Sequence, residues 1–590
     1  MKKQFIIAAA MAAAGAASAA HYNHSGDITS SVTWAAGDTH SMVDRVTVMP
    51  GATLTIEPGT IIASDGGSLA VTAGAQIHAE GTRAKPIIFT SVNDDFATWR
   101  PVCQEWGSLA IMGEGIISSH LYKGAPKNGT QNTPTAVGTH TRVMEGLVAR
   151  GDGTEEYGGN NDDYDAGTLS YVSFRYGGQV LEETSELNGL SLGGIGRETQ
   201  IDHIEIMNNV DDGIEIWGGT VCMKYISIWN IGDDSLDCDQ GWRGKVQHGL
   251  IVQGYSADAK QGSGVGDNCI EMDGSEDSDC EPHTTSTLYN FTVIGNPTKG
   301  DHGLALRDNV RLQVRNSIFM DIPDVLIDEE YDGDGGSGWG FAQGTTVTPD
   351  DGDGNFYASH VALKTVPNME DTYGVAFNAN AYAGDLARIG VASNEIVYWA
   401  QADGYMNELT DTVLYNVVKG GHIDEIELFE YAGYNAEVVT NLPIVALERG
   451  PLVSLYGGAL SCAPVTNLNP CAANDALVAD SLPTNDGFFD PVSYRGAFSA
   501  DENWLAGWTA AYQYGMLDGR TDAGATEIDG GVYLTVADSV EGQYYYVESS
   551  DNPGFASNVV VEATLVGTGS EIYYGDPAIE SAKFFRITSY

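Results

Sequence analysis

An all-β fold, a right-handed parallel β-helix, is predicted by three observations. First, a short phrase recurs as Gly189-Leu-Ser-Leu, Gly213-Ile-Glu-Ile, Ser235-Leu-Asp-Cys, Cys269-Ile-Glu-Met and Gly303-Leu-Ala-Leu. Second, further phrases lie between these copies, at 201–207, 223–229, 246–253, 288–294 and 312–319, and all of them alternate apolar and polar residues with the period of a strand. Third, most copies return at a nearly constant interval, as from Gly189 to Gly213 to Ser235, with wider gaps that read as loop insertions. A fixed return of a few short strands is the signature of a solenoid, in which equivalent residues stack about 4.8 Å apart.

The segment 1–20 reads as an export signal. Lys2 and Lys3 precede an apolar run, and Ala17-Ser-Ala or Ser18-Ala-Ala offers a small-residue cleavage site. No later segment is apolar and long enough to span a bilayer, so a secreted or cell-surface location is expected. The coil is expected over 21–345. Its opening turns are Gly51-Ala-Thr-Leu-Thr-Ile-Glu and Gly74-Ala-Gln-Ile-His-Ala-Glu, offset by the same interval, with Pro50-Gly51 and Pro58-Gly59 at corners.

In the phrase Gly213-Ile-Glu-Ile-Trp, Ile214 and Ile216 face inward while Glu215 and Trp217 face outward. The outward pairs on the following turns are Asp237 and Asp239, Glu271 and Asp273, then Ala305 and Arg307. Acids also precede each strand: Asp211-Asp212, Asp233-Asp234, Asp267, and Asp301 ahead of His302. Such crowding is relieved by a bridging cation such as Ca²⁺, by protonation, or by water and salt. Glu271 and Asp273 are the candidate cation ligands on this face.

The net charge is −53, and loss of the two leader lysines takes it to −55. That argues against nucleic acid or an anionic membrane as partner and fits either cation binding or solubility in a salty habitat. Seven cysteines in an exported chain suggest the pairings Cys462–Cys471, Cys269–Cys280 and Cys222–Cys238, with Cys103 left over.

The repeat fades after about Asp328. A continuation or cap with loops and some helix is expected over 346–520. In its Gly/Asp-rich loop, Asp351, Asp353 and Asn355 alternate as Ca²⁺ ligands do, although the same run also reads as a plain turn. Residues 369–409 carry partly helical spacing, and short strands resume over 413–460. The alternating runs within 521–590 read as a small antiparallel β-sandwich module.

Leu169-Ser-Tyr-Val-Ser-Phe-Arg-Tyr-Gly-Gly, Asp211-Asp-Gly-Ile-Glu-Ile-Trp-Gly-Gly and Gly241-Trp-Arg-Gly-Lys-Val-Gln-His resemble a family of secreted bacterial, pectin-lyase-like parallel β-helix proteins. Leu54-Thr-Ile-Glu-Pro-Gly-Thr, Tyr494-Arg-Gly-Ala-Phe and Asn503-Trp-Leu-Ala-Gly-Trp-Thr belong to the same pattern, which covers about 40–515. The resemblance implies a fold and an exported life, and no reaction. The C-terminal stretch, ending Lys583-Phe-Phe-Arg-Ile, is similar to a small module on exported proteins of Verrucomicrobia-like bacteria. That likeness implies attachment or sorting.

A looser resemblance is to polygalacturonase-type hydrolases, through Asn209-Val-Asp211-Asp212, Asp233-Asp234 and Gln247-His248-Gly249. Gln247 stands where that pattern has Gly, and no Arg-Ile-Lys follows.

The adopted reading is a Ca²⁺-stabilised surface rod that binds glycan or another cell-surface component. The alternative is a polysaccharide-cleaving enzyme. As a hydrolase it would use Asp212, Asp233 and Asp234, with Trp217 as a sugar platform and Glu215, Asp237 and Asp239 lining the substrate. As a lyase it would use Ca²⁺ on Glu215, Asp237 and Glu271, with Arg307 as base. The plain counter-readings are a Trp217 packed under a loop and an Arg307 that compensates Asp273. Self-assembly through the coil ends finds no interface pattern in the sequence.

Overall fold

The computed structural model describes residues 20–329, 408–417, 436–517 and six strands between 525 and 589. Within these ranges the short segments 119, 122–139, 179, 183–184, 255–265, 275–279, 282–283, 299, 308–309, 456–459 and 484 are not described. Asp351, Asp353, Asn355 and the expected helical stretch up to residue 407 lie outside the described residues.

Twenty-five strands form one continuous wound sheet, and every pairing within it is parallel between successive turns. The fold is therefore a right-handed parallel β-helix. A typical turn runs through Cys222–Ile231 and then Leu236–Asp239. The longer strand bends midway at Tyr225, so each turn has three sides. This corner recurs in register at Tyr171, His203, Tyr225, His248 and Asn290, all with φ between 50° and 63°. A left-handed backbone is costly for bulky residues. Here the rings offset it by stacking, with centroids 4.0 Å apart for Tyr171–His203, 4.4 Å for His203–Tyr225 and 4.7 Å for Tyr225–His248.

The inward positions of the phrase fill the bore. Leu190, Ile214, Leu236 and Ile270 stand in register and are fully buried, as are Ile216, Cys238 and Met272 in the neighbouring column. This placement corrects the expected disulfides. Cys238 and Cys269 are core thiols, and Cys222 stands in a different column of strands from Cys238, in register with Gln200 and Lys245. Cys462 and Cys471 are also thiols, because they belong to two different hairpins, Val453–Leu455 with Leu460–Cys462 and Ile444–Arg449 with Val465–Ala472.

After the coil, residues 474–517 form a strap over its long-strand side. Trp504, Leu505, Trp508 and Tyr512 pack there on Met207, Trp229 and Leu250. A buried charged network holds the strap. Glu205 accepts from the amides of Ala510 (2.6 Å) and Ala511 (3.2 Å), at the start of the short helix Ala510–Gln513, and from Ser173 Oγ (2.6 Å). Arg175, fully buried, donates to Gln513 Oε1 (2.8 Å) and to Ser173 Oγ, and lies 3.7 Å from Asp94. Further ion pairs are Lys224–Asp490 (2.8 Å), Lys245–Asp486 (2.5 Å) and Arg495–Asp411 (2.5 Å). The six C-terminal strands form two antiparallel three-stranded sheets, as the alternation predicts.

Candidate functional site: an acidic corner under a loop

The residue just before each copy of the phrase builds a ladder along one corner of the coil. Asn188 Oδ1 accepts from the Asp212 amide (3.2 Å), Asp212 Oδ1 from the Asp234 amide (3.0 Å), and Asp234 Oδ1 from the Asn268 amide (2.7 Å). Asn268 Oδ1 then meets His302 Nδ1 at 3.0 Å. Asp212 and Asp234 thus cap the backbone of the next turn. Buried backbone N–H groups require such partners, and a short side-chain oxygen at a bend supplies them.

Beside the ladder runs the outward column Ser191, Glu215, Asp237, Glu271, Ala305, Asp328, in register throughout. Glu215 accepts from Asn188 Nδ2 and stands in register with Asp237. Burial first, then the facing carboxyl of Asp237, pushes Glu215 well up; burial, then Glu271, does the same to Asp237. Glu271 accepts from Asn268 Nδ2 (2.9 Å) and pairs with Arg307, which also lies 3.5 Å from Asp273. The Arg307 guanidinium thus stands beside Glu271 and Asp273, the two expected cation ligands.

At the turns themselves, one carboxylate oxygen from each of Asp211, Asp212 and Asp233 lies within 4.8 Å of the others. The same holds for Asp212, Glu215 and Asp237, for Asp233, Asp234 and Asp267, and for Asp301, His302 and Asp324. Burial raises Asp211, Asp212 and Asp234 well above the usual carboxylate range, with neighbouring acids adding to it. Asp233 is pushed up to about 7 and Asp267 to about 6, by burial and then by the next acid along, Asp267 and Asp301 respectively. The structure therefore brings Asp212, Asp233 and Asp234 together, with Glu215 and Asp237 alongside.

Trp217, placed outward by the alternation, is 4% exposed and lies under Met144, Leu147, Leu187 and Tyr157, the last with its ring centroid 5.9 Å away. No open ring face remains for a sugar. Asp239, next to Trp217 in register, stays part-exposed. His248 sits at a different corner, stacked between Tyr225 and Tyr494 and 3.5 Å from Asp490 of the strap. Burial lowers its pKa. Asn209 donates to the carbonyls of Leu187 (3.1 Å) and Asp212 (2.9 Å). Of the three segments that resemble the hydrolase pattern, those with Asp212 and with Asp233 therefore meet, and Gln247-His248-Gly249 stands apart.

Asn188, Asn268 and Glu186 belong to the site although the alternation did not point to them. Asn188 and Asn268 were legible from their place directly before a phrase copy. Glu186 comes from an insertion that carries no repeat.

The class these features define is a parallel β-helix whose polar columns stack turn on turn. The sequence pattern of the pectate-lyase-like β-helix domain matches residues 26–335, more than half the chain, and the protein belongs to that family. No curated protein matches it. Among solved structures, the enzymatically active domain of tailspike protein 2 from bacteriophage CBA120 is similar at 10% identity, over 87% of this chain and 57% of that one, with a TM-score of 0.18. The full-length tailspike protein 2 of an Escherichia coli O157:H7 bacteriophage is similar at 9% identity, over 87% and 51%, also with a TM-score of 0.18. The chain spans little more than half the length of these tailspikes, and no argument about this protein follows from so low a score.

Proposed function

We propose that the protein is an exported, Ca²⁺-stabilised β-helix with a structural or glycan-binding role at the cell surface. The observation that carries this reading is the corner ladder. Asp212 and Asp234, two of the three acids with the right types for hydrolysis, are engaged in holding consecutive turns together. A net charge of −53 repels polyuronates, so a neutral polysaccharide is the glycan that suits this surface. No helix among the described residues is long and apolar enough to cross a membrane, which leaves attachment to the glycan or to the C-terminal module.

One observation favours the alternative of a polysaccharide-cleaving enzyme. Asp233 is not a cap, and a carboxyl pushed up to about 7 has the property of a general acid. Against its inverting form, an oxygen of Asp233 lies within 4.8 Å of one from Asp212 and of one from Asp234, whereas an inverting pair needs roughly 6.5–9.5 Å to admit water. The test is affinity electrophoresis through gels of neutral and acidic polysaccharides. Retardation by a neutral polymer that is recovered uncut supports the reading, and a polymer that is cut by the protein overturns it.

A further inference from the structure

Among the described residues, three carboxylates at or over the acidic corner have no bonded partner. Asp211 is 8% exposed, Glu186 is 4% exposed, and Asp233 lies between them and Asp267. Among the described residues no donor stands at hydrogen-bonding distance from any of the three side chains, and none of them forms an ion pair. Arg307 acts on Asp233 more weakly than the three acids around it do. Buried carboxylates are otherwise satisfied by donors, ion pairs or metals. The neighbouring Asp212 has one oxygen on the Asp234 amide and the other free. Asp211, Asp212 and Asp233 each aim an oxygen into one space less than 4.8 Å across.

Glu186 does not belong to the coil's corner. It lies in the loop that covers Trp217, directly before Leu187, and its backbone packs on Gly146. A Cβ on Gly146 would come within 2.4 Å of the Glu186 carbonyl, and its φ is +66°. The two loop segments 144–147 and 186–188 are therefore one body, closed over the acids.

We propose that Asp211, Asp212 and Asp233, roofed by Glu186, form a Ca²⁺ site that pins this loop to the coil. Ca²⁺ takes six to eight oxygens in flexible geometry, whereas Mg²⁺ resists an all-protein cage and keeps its waters. Three carboxyl groups from two turns, with the Glu186 side chain of the loop nearby, suit the former. The site depends on the Ca²⁺-stabilised half of the reading above and is independent of the glycan half.

The test uses the full chain stripped with EGTA and titrated with CaCl₂ at pH 8. Calorimetry gives affinity, and amide exchange reports the loop. Binding is expected to slow exchange at 144–147 and 186–188. Asp211→Asn and Asp233→Asn are each expected to weaken it by about tenfold or more, through loss of ligand charge. Asp324→Asn, at the separate Asp301–His302–Asp324 cluster, is expected to change neither. Because a variant can fail to fold, Tb³⁺ luminescence on the unaltered protein provides a second readout, with Tyr157 and Trp217 as the nearby sensitisers. Unslowed loop exchange with Ca²⁺ overturns the site. So do Asn variants that bind as the unaltered protein does, or Tb³⁺ that is not sensitised. Polysaccharide retardation that persists in EGTA leaves the glycan reading standing whatever the outcome here.

Discussion

Replacing Glu205 by Ala should loosen the strap far more than its single side chain implies. Glu205 is fully buried and accepts three hydrogen bonds, two of them from the first amides of the Ala510–Gln513 helix. Removing it strands those donors and leaves Arg175 as a buried cation, with only Asp94 at 3.7 Å in partial compensation. Breaking one side of a buried charged network costs about 3–5 kcal/mol, and each stranded donor about 1–3 kcal/mol, in a non-additive way. A total of about 3–5 kcal/mol is therefore expected, with Asp94 holding it toward the lower end. Glu205→Gln keeps an acceptor and should cost less. The assay is urea unfolding followed by tryptophan emission, since Trp504 and Trp508 lie in the strap. A loss for Glu205→Ala below about 1 kcal/mol would refute the view that this network holds the strap.

Three other outcomes follow from the corner. In chelator, Asp212→Asn should be neutral or stabilising, because Asn188 fills the same capping role one turn earlier, while Asp212→Ala should cost about 1–3 kcal/mol by chemical denaturation. Trp217→Ala should cost about 3–5 kcal/mol as a cavity beneath Tyr157, where an exposed platform would cost little; the melting temperature distinguishes the two. In chelator, stability should fall as pH rises from about 4 to about 7. Asp233 and Asp267 have folded values raised to about 7 and about 6, so the folded state holds protons that the unfolded state has already lost, and that advantage disappears as the pH passes the folded values. A thermal-melt series across that window checks the sign, and stability rising with pH would contradict it.

The coil was legible because a stacked repeat converts sequence period directly into register. The column Ser191, Glu215, Asp237, Glu271, Ala305 can be read from the phrase copies alone. Alternation gives direction and says nothing of cover. Trp217 and Glu215 do face away from the bore, yet a loop from far earlier in the chain, around Met144, buries that side. The strap was visible as the Tyr494 and Asn503 motifs, but its anchor joins Glu205 to Ala510, and no local pattern reports a contact between segments so distant in sequence. The cysteine pairings failed for a related reason: Cys222 and Cys238, though spaced near one turn, stand in different columns of strands on the coil. The corner positions Tyr171, His203 and Tyr225 were also hidden, since nothing in bulky aromatic residues announces a left-handed backbone.

The central claim is that the stacked acids of this β-helix hold turns and cations and do not cleave glycan. Its most direct test is reducing-end release together with absorbance at about 235 nm, over a panel of plant and marine polysaccharides, with Ca²⁺ and with chelator, since a lyase product carries a conjugated double bond and a hydrolase product does not. The account predicts neither signal on any polymer. Reducing ends or Ca²⁺-dependent absorbance that Asp233→Asn abolishes, with the fold intact, would contradict it.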